Sequence, residues 1–210
     1  GAFQFVDNWG AKGDGVTQDR EAIQAAIDAA HNLYLITGTP VTLLYRAGAT
    51  YVCHAVLIKE GVNHVCYGTA RILKTPATPA DVESSLTWRN IFYLSGNDFA
   101  GASLRDRIVF SGLIFDGNYN NMNWTWGTYN QQQAASLHLA NSTIPAGKRL
   151  KVELNRVQFV DSVADGLLVA RDIDLKVRGV EGENCFRGGI TIVGGNAVLD
   201  IDGYTGNSAN

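Results

Sequence analysis

The chain has 210 residues and a formal net charge of −3, from 17 Lys and Arg against 20 Asp and Glu. This length supports one sizeable core and is too short for two ordinary domains with a linker, so we expect a single domain. The charges form no block that could follow a phosphate backbone, and no run approaches the roughly 20 apolar residues that span a bilayer. We therefore expect neither a nucleic-acid partner nor insertion into a membrane.

The amino-acid composition favours an all-β fold. Gly is abundant with 23 residues, Pro is scarce with 4, and β-branched residues recur along the chain. This combination is typical of many short strands that are joined by tight turns.

One segment, residues 17–30, has the pattern of an amphipathic helix. Thr17 is a suitable N-cap, and the turn at residues 13–15 leads into it. The apolar stripe consists of Ala22, Ile23, Ala26, Ile27 and Ala30. Because such a stripe needs a partner, we expect this helix to cover the open end of a β-sheet core as an N-terminal cap.

The segments that follow repeat at a nearly constant distance. Residues 175–182 match residues 199–206 at a shift of 24, and residues 166–169 match residues 189–192 at a shift of 23. Short strands at this period and no intervening helices predict the stacked coils of a parallel β-helix, from about residue 41 to the end. The residues predicted to form its inward columns are Val152, Leu154, Val157, Val177, Val180 and Ile201. A β-sandwich is the alternative, but it would leave the repeat unexplained.

The three cysteines, Cys53, Cys66 and Cys185, form an odd set without CxxC spacing. We therefore expect each to fill core space as a small hydrophobe. A disulfide between Cys53 and Cys66 stays open, because the sequence does not give their distance. The histidines show no metal spacing, so we predict neither a metal nor another cofactor.

Three motifs cover most of the first 120 residues: residues 6–19 with 22–30, residues 41–51, and residues 114–118, where a predicted strand ends in Asp-Gly-Asn. In this order they resemble the opening, the next strand and turn, and a later coil of the pectate-lyase superfamily. The resemblance implies a right-handed single-stranded parallel β-helix with a long groove on one sheet, where sugar chains bind. It therefore implies a polysaccharide partner.

Several classes of protein share this opening, among them bacteriophage tailspikes, alginate C5-epimerases, polysaccharide lyases and hydrolases. The chain lacks the Asp-Pro-His-Glu motif of such epimerases and the Asn-Thr-Asp motif of polygalacturonases. An epimerase and a polygalacturonase are therefore less favoured. Residues 203–210 complete only the first part of a coil, which predicts that residues 1–210 are the N-terminal portion of a longer β-helix domain. Resemblance to a tailspike would imply a homotrimer in a virion tail; a secreted, extracellular protein is the alternative.

Residues 118–133 form an insertion relative to the repeating coils, and they are rich in aromatic and amide side chains. Tyr119, Trp124, Trp126 and Tyr129 could stack on sugar rings, while the amides bind hydroxyl groups. This mixture is typical of a glycan-binding platform on a rigid scaffold. Equally, the loop could fold back over the β-helix flank or a neighbouring subunit.

Four carboxylates, Asp161, Asp165, Glu181 and Glu183, cluster where the aligned coils turn, and Asp161 aligns with Asn184. Hydrolysis of a glycosidic bond needs two carboxyl groups, and a lyase needs a base, so these four are the candidate catalytic residues. The alternative is that they are solvated or bind turn amides.

Three further residues are candidates for substrate binding. His138 lies in an alternating strand and should face solvent or the groove. Arg171 and Arg187 could bind a sugar carboxylate, or they could pair with Asp172 and Glu183.

The leading hypothesis is a tailspike-type depolymerase, a glycoside hydrolase or polysaccharide lyase that attacks bacterial capsule, lipopolysaccharide or exopolysaccharide. The alternatives are a glycan-binding module without catalysis, a structural virion stalk, and a uronate epimerase.

Overall fold

A computed structural model describes residues 1–76, 90–94, 102–122, 134–140, 144–145, 147–170, 172–193 and 197–208. Within these ranges the chain forms one α-helix and fifteen strands. The strands are β1 (Ala2–Phe5), β2 (Asp14–Gln18), β3 (Val41–Leu44), β4 (Thr50–Cys53), β5 (Val56–Leu57), β6 (Val62–Lys74), β7 (Phe92–Tyr93), β8 (Ile108–Asp116), β9 (Ala135–Ala140), β10 (Leu150–Asn155), β11 (Gln158–Val160), β12 (Asp165–Ala170), β13 (Ile173–Cys185), β14 (Gly188–Val193) and β15 (Val198–Ser208).

The strands stack in parallel, as the repeat predicts. Val152 pairs with Leu175, which pairs with Leu199, so the shifts of 23 and 24 residues correspond to one coil each. In a second sheet Leu137 pairs with Leu167, which pairs with Ile190. Every strand pairing in the described ranges is parallel, which confirms the parallel β-helix and excludes a sandwich of antiparallel hairpins. The right-handed sense of the coil remains a prediction.

Each complete coil has three faces. The ten-stranded sheet supplies two of them, because its long strands bend where a residue has a positive φ. We call the face before this bend the first face (for example β10) and the face after it the second face (for example β11). The five-stranded sheet of β5, β7, β9, β12 and β14 is the third face. The first corner lies between the first and second faces, and the second corner lies between the second and third faces.

The core runs along the inside of the three faces. The inward residues predicted from the sequence, Val152, Leu154, Val157, Val177 and Val180, are fully buried. Ile201 continues one of these columns but is 44% exposed, since no described strand lies on the other side of β15. Each coil thus buries the apolar edge of the coil before it, which is the main source of stability in a stacked repeat.

Aromatic rings fill the wide part of this core. Phe110 stacks on His64 at a centroid distance of 4.9 Å, and Phe115 stacks on Phe159 at 5.7 Å. The three cysteines are buried and free, as predicted for core residues, and Cys53 and Cys66 form no disulfide.

The α-helix, α1, spans Arg20–Thr37 and is longer than the predicted 17–30. Its apolar stripe packs against the core as expected: Ile23, Ala26, Ile27 and Ala30 are buried, and Tyr34 extends the stripe. The assignment of Thr17 as N-cap was wrong. Thr17 lies in β2 and bonds to Asp14, whereas Asp19 precedes the helix and accepts hydrogen bonds from the backbone of Lys12 and Gly13. That α1 caps the stack remains a prediction.

No helix in the described part of the chain is both long and apolar enough to cross a membrane.

Candidate functional site

The second corner is built from residues that turn the chain with a positive φ. Asn118, Asp161 and Asn184 occupy this corner in successive coils, with φ of 56°, 47° and 52°. Asn and Asp accept this left-handed conformation more readily than other residues with a side chain. The sequence therefore specifies a tight corner, at which Asn118 is buried, Asp161 is partly exposed and Asn184 is exposed.

The side chains of two successive coils bond at this corner. Asn184 donates from Nδ2 to Oδ1 of Asp161 at 3.2 Å, which confirms that the two residues occupy equivalent positions. The backbone joins the same coils, because the amide of Asp161 donates to the carbonyl of Glu183 at 3.0 Å. Hydrogen bonds to the next coil thus fix both the backbone amide and one carboxylate oxygen of Asp161.

Two aromatic residues lie in the coils on either side of the coil that carries Asp161. The amide of Tyr119 donates to the carbonyl of Asp161 at 3.1 Å, and the amide of Phe186 donates to the carbonyl of Ser162 at 3.1 Å. The rings of Tyr119 and Phe186 stack with centroids 6.4 Å apart and planes inclined by 29°. Phe186 is 39% exposed. The aromatic pair, Tyr119 and Phe186, therefore bridges the coil that carries Asp161.

Phe186 is missing from the residues predicted from the sequence. It follows the corner residue Asn184 by two positions, and the preceding coil has Val163 at the equivalent place. An aromatic residue that replaces an aliphatic one just beyond a polar corner was the available signal.

Asp165 is in a different environment from the other predicted carboxylates. It is fully buried at the start of β12, and Arg187 donates from Nε and Nη2 to its two oxygens, the first at 3.1 Å. Thr191 donates to the same carboxylate at 2.6 Å. A substrate could reach Asp165 only after this ion pair had separated.

Arg187 pairs with Asp165, and not with Asp172 or Glu183, which the sequence offered as alternative partners for the two arginines. The sequence alignment of coils already placed Gly188 beside Asp165, so the adjacent Arg187 lies within reach. Its hydrogen bonds to the carboxylate raise the pKa of the guanidinium. Arg187 is therefore engaged within the protein and not available as a free cation.

Glu181 and Glu183 lie on the outside of the second face and are exposed. Glu183 pairs with Val160, next to the second corner. Glu181 lies two residues earlier, towards the first corner, and accepts a hydrogen bond from Gln158 at 2.9 Å. The predicted carboxylate cluster is thus divided. Asp161 and Glu183 lie at the second corner, Asp165 is buried, and Glu181 lies further from the second corner on the same outer face as Glu183.

His138 points outward from the third face, as expected, because its neighbours Leu137 and Leu139 are buried. His138 is half-buried. It is aligned with Tyr93 on the neighbouring strand β7 and with Leu168 on the neighbouring strand β12, and these three residues form a row across the third face. This row is separate from the aromatic pair at the second corner. Trp124, Trp126, Tyr129 and Arg171 lie outside the residues that the structure describes.

No three imidazole, thiol or carboxylate groups converge as a metal site within the described ranges. The second corner itself presents the carboxylates of Asp161 and Glu183, the amide of Asn184 and the aromatic pair.

Comparison with known proteins gives a fold and no family. No protein-family profile matches the sequence, and no curated protein matches it either. Solved structures do match. The fold is that of a parallel β-helix. Similarity at this level of identity concerns the fold alone.

Three of these structures illustrate the match. A protein from Parabacteroides merdae, provisionally described as a glycosyl hydrolase, has a TM-score of 0.68 at 16% identity, over 99% of this chain and 87% of that chain. An iota-carrageenase in complex with iota-carrageenan fragments has a TM-score of 0.56 at 15% identity, over 94% of this chain and 40% of its own. The A-module of the mannuronan C-5 epimerase AlgE4 from Azotobacter vinelandii has a TM-score of 0.54 at 20% identity, over 96% of this chain and 58% of its own.

Proposed function

We propose that this protein binds a polysaccharide at the second corner of its β-helix and cleaves it there. The observation that carries the proposal is that the aromatic pair, Tyr119 and Phe186, stacks across the coil that carries Asp161, with Glu183 exposed on the adjoining face. Aromatic faces stack on the C–H faces of sugar rings, and carboxylates and amides bind hydroxyl groups. Stacked coils hold all of these groups on a rigid scaffold.

Asp161 and Glu183 are the proposed catalytic carboxylates. Glu183 pairs with Val160, so Asp161 lies one strand away and one residue further on. From the spacing of strands and residues, their Cα atoms are about 6 Å apart. Glycoside hydrolases use two carboxyl groups roughly 5 to 9.5 Å apart, and side chains of this length can adopt such separations from that backbone distance.

The remaining predicted residues have supporting roles in this proposal. Asn184 orients Asp161, while Asp165 and Arg187 fix the start of the third face beneath the corner. Glu181 lies further along the second face and would contact a neighbouring sugar of the same chain. His138 would meet a polymer that crosses the third face.

The names of the similar structures favour a carbohydrate as the ligand. A provisional glycosyl hydrolase, a carrageenase with bound carrageenan fragments and a mannuronan epimerase all share this fold. Their common property is action on a sugar polymer, whereas the reactions differ, so they support the ligand class more strongly than the reaction.

A second candidate function is polysaccharide binding without catalysis. The observation that favours it is the exposure of Glu183, because glycosidases usually keep their general acid protonated in an apolar environment. In this case the aromatic pair and Asn184 would hold the polymer, and the carboxylates would only accept hydrogen bonds from it.

The finer proposal is a tailspike-type depolymerase of a bacteriophage tail, or a secreted enzyme, that acts on capsule, lipopolysaccharide or exopolysaccharide and assembles as a homotrimer. Light scattering would give three times the mass of the chain for a trimer. A mass of one chain would exclude the trimer and leave the site at the second corner unaffected.

The decisive experiment is incubation with capsular and other acidic polysaccharides, followed by measurement of reducing ends and of absorbance from unsaturated uronates. Reducing ends alone indicate hydrolysis, both signals indicate a lyase, and binding with neither signal supports the second function. Asp161→Asn and Glu183→Gln should each abolish turnover and preserve binding. Glu21→Gln, an exposed carboxylate on α1, is the matched control and should retain full activity. Unchanged rates in both corner variants would remove these two residues from the proposal.

A further inference from the structure

The first corner contains a small pocket of about 190 Å³, separate from the second corner. Its polar lining comes from Thr69, Arg156, Gln158 and Glu181, and Ile114 supplies an apolar wall. The Cα atom of Arg156 lies at most about 17 Å from that of Asp161, which is five residues further along the chain. The pocket is smaller than the roughly 300 Å³ at which sites for drug-sized ligands begin, so it suits a single sugar unit.

Arg156 occupies a backbone position that the neighbouring coils give to glycine. Its φ is 52°, and the equivalent residues Gly112, Gly179 and Gly203 have φ of 66°, 57° and 70°. A residue with a side chain in this conformation costs roughly 1 to 2 kcal/mol relative to glycine, which has no such cost. Strain of this kind is retained mainly where the side chain has a use, and a functional role for Arg156 follows as a hypothesis.

The guanidinium of Arg156 has no partner among the residues that the structure describes. Seven other arginines in the same ranges, at positions 20, 46, 71, 105, 107, 178 and 187, each form an ion pair with a carboxylate. Arg156 is exposed and lies in the same pocket as Glu181, yet no ion pair joins them. Glu181 instead accepts its hydrogen bond from Gln158.

The lining of the pocket is therefore complementary to an acidic sugar. The free guanidinium can bind a carboxylate or a sulfate through two parallel hydrogen bonds. Glu181 and Thr69 can bond to ring hydroxyl groups, and Ile114 can contact the ring itself. A neutral sugar offers only hydroxyl and ring oxygens, which accept weaker hydrogen bonds from the guanidinium than a carboxylate or sulfate does.

We infer that the pocket at the first corner is a second saccharide-binding site, selective for a sugar unit that carries a carboxylate or a sulfate ester and bound through Arg156. The site does not depend on cleavage at the second corner, because Arg156 lies at the opposite end of the second face from Asp161 and Glu183. An acidic polymer could occupy both sites.

Titration calorimetry with galacturonic acid, galactose 6-sulfate and galactose tests this inference. The protein should bind the two acidic sugars at least about tenfold more tightly than galactose, since a charge-assisted pair adds that much. Arg156→Gly should reduce the affinity for the two acidic sugars to the affinity for galactose. This variant should fold normally, because the neighbouring coils have glycine at the equivalent position. Arg156→Asn is the second variant, since asparagine also accepts a positive φ.

Two controls define the alternatives. Arg20→Gln removes an equal charge on α1, and Glu21→Gln removes an exposed carboxylate next to it; both variants should leave every affinity unchanged. Equal binding of acidic and neutral sugars, or full binding by both Arg156 variants, would overturn the inference. Inorganic sulfate that binds as tightly as galactose 6-sulfate would also overturn it, since the pocket would then be a simple anion site.

Discussion

Arg187 donates from Nε to Oδ1 of Asp165 at 3.1 Å, and its Nη2 donates to the other oxygen of the same carboxylate. The Asp165 side chain has no exposed surface, whereas the Arg187 side chain is 36% exposed. The carboxylate thus depends on protein donors for all of its solvation, and the guanidinium can still reach water. This asymmetry allows a prediction about the two partners.

Arg187→Ala should destabilise the protein by about 3 to 5 kcal/mol, because it leaves a buried carboxylate with Thr191 as its remaining side-chain donor. Asp165→Asn should cost less, since the amide is neutral, can still accept from Thr191, and leaves Arg187 partly hydrated. Urea denaturation of the two variants measures both free energies of unfolding. Equal losses, or a larger loss for Asp165→Asn, would contradict this account of the pair.

The coil architecture could be predicted from the sequence because every coil must place an apolar residue in the same column. Val152, Leu175 and Leu199 satisfy this requirement one after another, and each is aligned with the next in the structure. A shift of 23 or 24 residues is a direct consequence of the length of one coil. A column constraint of this kind is visible in a single sequence without knowledge of the coordinates.

The end of α1 could not be predicted from the same kind of pattern. Beyond Ala30 the stripe continues through Leu33 and Tyr34, but the adjacent Leu35 and Ile36 are exposed, so the apolar residues no longer mark one side. Gly38, with a φ of 66°, is the signal that ends the helix.

The candidate site was predicted only in part, because its environment depends on contacts between coils. Asp161 and Asn184 were correctly aligned, but the burial of Asp165 depends on Arg187 in the following coil. The aromatic pair joins residues far apart in the sequence, Tyr119 and Phe186. Neither relationship is visible within one coil; both become apparent only when successive coils are aligned.

The first corner offers a matched test of packing at two glycines. Gly112 and Gly179 have similar φ, 66° and 57°, so alanine should cost each the same backbone strain of roughly 1 to 2 kcal/mol. A methyl group on Gly112 would overlap the carbonyl oxygens of Cys66 and Gly68, but on Gly179 it would find only Arg156 at 4.0 Å. Gly112→Ala should therefore be far more destabilising than Gly179→Ala in urea denaturation. Similar losses would show that the strand can shift to relieve the overlap.

His64 should make stability depend on pH. The ring is fully buried against Phe110, its Nδ1 lies 3.0 Å from the hydroxyl of Tyr45, and burial lowers its pKa from 6.5 to about 3. Between these two values the unfolded chain binds a proton that the folded chain does not. Stability is therefore lost as the pH falls below about 6.5, by about 2 kcal/mol between pH 8 and pH 5.

Two variants separate this titration from the hydrogen bond. His64→Phe retains an aromatic ring against Phe110 but cannot titrate, so its loss of stability relative to the natural protein should shrink by about 2 kcal/mol from pH 8 to pH 5. Tyr45→Phe removes the same hydrogen bond and keeps the imidazole, so it should retain the full dependence on pH. Urea denaturation at the two pH values measures both. A His64→Phe variant that is as sensitive to pH as the natural protein would assign the dependence to other groups.

The aromatic pair should contribute to polysaccharide affinity and little to stability. Phe186 is partly exposed, and its ring contacts Tyr119 across the coil of Asp161, so truncation opens no cavity in the main core. Phe186→Ala should weaken binding of the polymer by about tenfold, since loss of one aromatic stacking surface costs on the order of 1 kcal/mol or more. Phe186→Tyr retains the ring face and should bind as the natural protein does. Affinity electrophoresis in gels that contain the polysaccharide compares the three proteins, and Phe3→Ala, an exposed ring on β1, is the control for a general effect of lost apolar surface. If Phe186→Ala migrates like the natural protein in these gels, the sugar chain does not contact the second corner and the catalytic assignment of Asp161 and Glu183 loses its basis.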